Sequence, residues 1–96
     1  MTAVSGQLPG ADLVERGVAD LAASRESESA LLVAMAATRL RAVGIDVPDR
    51  GIAQPGHRLY ALLAAEHSTG AHAAYNALVG RMSSFARAAE RAASRR

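Results

Sequence analysis

Apolar positions along the chain recur at helical spacing, not at the period of two that marks strands. Over residues 11–23, Leu13, Val14, Val18 and Leu21 fall at i, i+1, i+5 and i+8, one stripe at the 3.6-residue period. Asp12 and Glu15 complement the positive end of that helix. Gly17 lies within the stripe. A mid-helix glycine costs about 1 kcal/mol relative to alanine, so it is either a point where another backbone approaches closely or a tolerated defect.

A second helix is expected from an N-cap at Ser24 to Val43, with Glu26 and Glu28 in its first turn. Gly44 followed by Ile45 has the form of a left-handed C-cap with an apolar residue beyond it. On a continuous helix, Leu32, Met35, Ala36, Leu40 and Val43 share one broad apolar face, widened by Leu31 and Val33, which makes this the central helix. Residues 45–56 hold Asp46, Pro48, Asp49, Gly51, Pro55 and Gly56, turn formers that read as a crossover loop. A third helix over residues 55–67 carries Leu59, Leu62, Leu63 and Glu66 on one stripe. Ser68-Thr69-Gly70 then breaks the pattern, and either hydroxyl suits the N-cap of the next helix. In the last helix, residues 71–93, Ala71, Tyr75, Leu78, Met82, Phe85, Ala89 and Ala92 alternate steps of four and three, a heptad seam of barely three repeats. The expected fold is an all-α, small four-helix bundle with a Pro/Gly-containing crossover between helices two and three, flanked by a loose arm over residues 1–10 and a basic tail over 94–96.

Composition limits how much this bundle can bury. The 96 residues make one small domain, and 23 of the apolar ones are Ala, with Phe85, Tyr60 and Tyr75 the only aromatics. A core of small side chains removes little area from water, and domains of this size are marginal alone, so a homodimer is expected. Leu32, Met35, Leu78, Met82 and Phe85 are the residues expected to form the core or that interface. The absence of Cys excludes disulfides and thiolate metal sites. The longest apolar run, residues 30–37, is far short of the ~20 residues that span a bilayer, and the amino terminus has no signal-peptide pattern. The chain therefore reads as cytoplasmic and without a membrane span. Its basic residues are all Arg.

Candidate chemistry is sparse. Arg39 falls among Leu32, Met35 and Val43 on the apolar face, and Glu66 is the matching acid on the stripe of helix three. A buried guanidinium keeps its proton and needs an anion, so an interior Arg39–Glu66 pair is expected, or a ligand anion in place of the acid. At the junction of helices three and four, His72, Tyr75 and Asn76 form a polar flank along the seam. Glu66, His67 and His72 include the donor types of a zinc or iron site, but Glu66 and His67 are adjacent and diverge by about 100°, so no metal or other cofactor is indicated. No acid is placed to orient His72 toward Ser83 or Ser84, and neither serine follows a strand-turn-helix elbow. Arg50 and His57, with six residues between them, are separated by a loop and Pro55. Residues 77–96 hold five Arg against one Glu, a balance of +4, and residues 1–76 hold six Arg against eight acids, −2. Arg87, Arg91 and Arg95 recur every fourth residue on a face away from the seam, suited to phosphates or to an acidic protein partner. The expected function is a non-enzymatic, self-associating interaction module. A nucleic-acid-associated protein using the Arg stripe is the first alternative, and a metal site at the junction of helices three and four the second.

Overall fold

The computed structural model describes residues 8–95. These are all-helical, with five helices and no strand: α1 (Ala11–Ala22), α2 (Glu28–Met35), α3 (Ala37–Ala42), α4 (Pro55–Glu66) and α5 (Ala71–Ser94). No described helix is long and apolar enough to cross a membrane. Of the expected arm, residues 1–7 lie outside the described region. Leu8 to Gly10 are not loose: Leu8 accepts the Ala11 N–H at 3.1 Å and packs partly buried against the core. Of the expected tail, Arg96 is outside the described region and Ser94 still belongs to α5.

The helices pack as antiparallel neighbours, α1 on α2, α2 on α4, and α4 on α5. α2 is central, and Ala30, Leu31, Leu32 and Val33 are consecutive buried residues, so it has no solvent face at mid-length. Gly17 is a close-approach position. A Cβ there would overlap the Ser29 carbonyl oxygen and Val33 Cγ2, so the absence of a side chain lets α1 lie against the backbone of α2.

The expected second helix begins later and is divided. Ser24 is not its N-cap: it sits in a turn at φ 60°, and Ser27 caps α2 instead, its Oγ accepting the Ala30 N–H at 3.1 Å. Asp20 decides this start. Its carboxylate accepts from Ser27 Oγ at 2.5 Å and from Arg25 at 3.0 and 3.1 Å, so the end of α1 and the start of α2 are cross-linked, and these bonds, Ser27 first and then Arg25, hold Asp20 below the usual carboxylate range. At Ala36 the backbone turns to φ −99°, ψ 11°, ending α2 and starting α3. Across that break Arg39 still lines one cleft with Leu32 and Met35, but at its exposed edge, and Leu40 is fully buried.

The far end of α3 follows expectation. Gly44 adopts φ 93°, and the Gly44 and Ile45 N–H groups donate to Arg41 and Leu40 carbonyls at 3.0 and 3.1 Å, the paired bonds of a Schellman ending with buried Ile45 as its apolar contact. The crossover that follows is tied down by two arginines. Arg41 donates from Nε and Nη2 to the Val47 carbonyl, and Arg50 donates to the Leu21 and Ala22 carbonyls at the end of α1, where a cation also meets the negative end of the helix dipole. Pro55 occupies the first turn of α4. α5 starts at Gly70 with no side-chain cap, so neither Ser68 nor Thr69 serves as one. Its seam is buried at Ala71, Met82, Phe85 and Ala89, half-buried at Tyr75 and Leu78, and exposed at Ala92, so it ends a turn early.

Candidate functional site

Two helices that meet in a hairpin build a wide cleft. α4 contributes Gly56, His57, Tyr60 and Ala61, and α5 contributes His72 and Tyr75, around a volume of about 520 Å³. The rings are set by the antiparallel packing. Tyr60 lies 5.6 Å from Tyr75 and 6.4 Å from His72, centroid to centroid, with its plane tilted by 60° and 59°, within the range of favourable tilted aromatic pairs. Gly56 forms the floor, where a Cβ would touch Tyr75 Oη at 3.3 Å and the Met35 methyl at 3.4 Å. Met35 links this cleft to a second, of about 400 Å³, between α2–α3 and α5, whose lining includes Leu32, Val79 and Met82. Met35 and Tyr60, 36% and 40% exposed, are the large apolar residues that the described chain leaves open to solvent.

The polar flank expected at this junction supplies His72 and Tyr75, while His57 and Tyr60 join it from α4 without having been expected there. The available signal was Tyr60 next to Leu59 on a helix expected to return against the Tyr75 seam. Asn76 is exposed and outside the cleft. Leu32, Met82 and Phe85 are buried and Leu78 half-buried, whereas Met35 reaches the surface.

The expected interior pair of Arg39 and Glu66 does not form. Arg39 is bonded to Glu90 of α5, Nε to Oε2 at 2.6 Å and Nη2 to Oε1 at 3.0 Å, with both side chains about two-fifths exposed. The fork-to-fork bond raises the Arg39 pKa and lowers that of Glu90. Glu66 instead ends α4 beside Glu28, which starts α2. Eleven positions along α2 and α3, roughly 16 Å at 1.5 Å per residue, separate Glu28 from Arg39, which lies with Leu32 and Met35 on the side toward α5.

Glu28 is pushed above the usual carboxylate range, first by a hydrogen bond with Glu66 that its protonated form makes, then by burial and by the Glu66 charge. Because the fold favours the protonated acid, this pair stabilises at pH values below the unfolded Glu28 pKa, and that contribution disappears as pH rises through the folded one. Glu66→Gln is therefore expected to raise Tm at pH 7 by about 1–3 °C, the scale of a few tenths of a kcal/mol in a domain this small. No gain is expected below about pH 3.5. Thermal melts at the two pH values check this, and an equal gain at both would remove the like-charge cause.

Neither a family model, nor a curated protein, nor a solved structure matches this chain.

Among the described residues no three His, Asp or Glu side chains gather as metal ligands, and Glu66, His67 and His72 are not brought together. His67 lies beyond the end of α4 while His72 faces Tyr60. Arg87, Arg91 and Arg95 are exposed and make no side-chain hydrogen bond among the described residues. They differ from Arg25, Arg39, Arg58 and Arg81, which pair with Asp20, Glu90, Glu26 and Asp12.

Proposed function

We propose that this protein is a non-enzymatic interaction module that pairs with a second copy of itself through the face holding Met35, Tyr60 and Tyr75. In this reading its rods, with kinked α2–α3 counted as one, act as a four-helix bundle completed by the dimer. The observation that carries it is that Met35 and Tyr60, the exposed large apolar side chains, border two adjoining apolar clefts. A chain whose core is mostly alanine and leucine gains more from covering such a face than a larger domain would. Tyr and Met are among the residues enriched in interface cores.

Light scattering over a concentration series tests the pairing. Wild type is expected to give twice the chain mass at micromolar concentration, and Met35→Glu or Tyr60→Glu to give the single-chain mass with the helical spectrum retained. A wild-type mass of one chain at every concentration would end this reading. The uncommitted Arg87, Arg91 and Arg95 favour a second one, contact with nucleic-acid phosphates. It requires duplex or RNA retention that falls steeply with salt and is lost in an Arg87→Gln/Arg91→Gln chain.

A further inference from the structure

We infer that the cleft between α1, α3 and the crossover loop binds a small oxyanion, a phosphate or phosphomonoester group, held by Arg41, Arg50 and Thr38. Arg41 and Arg50 line this one cleft together with Thr38, Asp49 and Gly51. Its volume, about 190 Å³, lies below the ~300–1,000 Å³ of sites for drug-sized molecules and suits a small charged group.

The two arginines are bonded unlike any others in the described chain. Each spends its Nε and one terminal nitrogen on backbone carbonyls: Arg41 on Val47 at 3.1 and 2.9 Å, Arg50 on Leu21 at 2.7 Å and Ala22 at 2.8 Å. Carbonyls orient a guanidinium without cancelling its charge. A guanidinium has five N–H groups, so each keeps three beyond these bonds. The usual cost of ordering a long side chain around an anion has already been met by the fold. One carboxylate shares the lining, and Asp49 Oδ1 is engaged by the Gly51 N–H at 3.0 Å, closing the turn. The lining therefore carries a net charge of +1, with the Thr38 hydroxyl as a further donor. The carbonyl end of α1 offsets part of the Arg50 charge, which leaves Arg41 as the principal anion contact. An oxyanion accepts several such bonds at once, and charge-assisted ones are the strong ones. The site lies within one chain and does not depend on pairing.

The test is an NMR titration of the amide resonances with inorganic phosphate, against sodium chloride at equal ionic strength. Saturable shifts are expected around Thr38 and Gly51 in phosphate and not in chloride. Arg41→Gln is expected to weaken binding roughly ten- to a hundredfold, the scale of one lost charge-assisted contact. Thr38→Val, which disturbs no backbone bond, should weaken it by a smaller factor and covers the case in which Arg41→Gln loosens the loop. Glycerol 3-phosphate in a parallel titration separates the sources: tighter binding than phosphate marks an esterified ligand, equal binding a free anion. Shifts linear in concentration, equal in chloride, unchanged in both variants, or abolished by Arg87→Gln/Arg91→Gln would each overturn the assignment.

Discussion

Phe85→Ala is expected to lower the free energy of unfolding by about 3–5 kcal/mol, enough to leave much of the chain unfolded at 37 °C if the total is near the low end of the usual 5–15 kcal/mol. Phe85 is the sole Phe, 1% exposed, and the first of the fully buried side chains by volume. It stands where α5 meets the start of α1, close enough that a Cβ on Gly10 would come within 3.4 Å of its own. Neighbours in a packed core relax only in part, so a cavity persists and its cost adds to the lost transfer energy. Phe85→Leu, closer in volume, should cost about 1.5 kcal/mol or less. Urea melts of the two variants measure both values. A Phe85→Ala midpoint equal to wild type would mean that α5 does not pack on α1 as described.

Gly17→Ala is the second large effect, expected to destabilise by about 2–3 kcal/mol even though alanine is the better helix former by about 1 kcal/mol. The added methyl would overlap two groups of different compliance, Val33 Cγ2 and the Ser29 carbonyl oxygen. A valine side chain can rotate or be shortened, but the carbonyl is part of the α2 backbone and can yield only if the helices separate. Separation would also strain the bonds of Ser27 and Arg25 to Asp20 that hold the ends of α1 and α2 together. Gly17→Ala/Val33→Ala should therefore recover only the part of the loss due to Val33. Chemical denaturation of the single and double variants gives the coupling. A Gly17→Ala chain more stable than wild type would show that propensity outweighs contact there, and that α1 and α2 lie further apart.

What the chain announces locally and what it leaves to packing divide along particular residues. The helix over residues 11–22, the Gly44-Ile45 ending, Pro55 opening α4, the turn-rich crossover and the buried Met82 and Phe85 are all readable, because each depends on side-chain period or on the conformational range of one residue. In the main cleft His72 and Tyr75 were legible as a polar flank on α5. Tyr60 and His57 join them only because α4 folds back at a specific register, which helical period does not specify.

Charges were the least legible part. Arg39 finds Glu90 51 positions away. What decides the pair is that α5 lies along the side of α2 and α3 that carries Leu32, Met35 and Arg39, a placement that helical period does not specify. The start of α2 moved from Ser24 to Ser27 because Asp20 on the preceding helix recruits the later serine, and Arg50 acts on the end of α1 across nearly thirty residues. By itself, then, the sequence determined which faces are apolar and where most helices start and stop, since burial and backbone preference act within one or two turns. Only the tertiary structure decided which arginine meets which acid or carbonyl and which apolar residues stay in water. Long polar side chains reach any partner that packing brings within a few ångströms, and that partner is set by contacts distant in the chain.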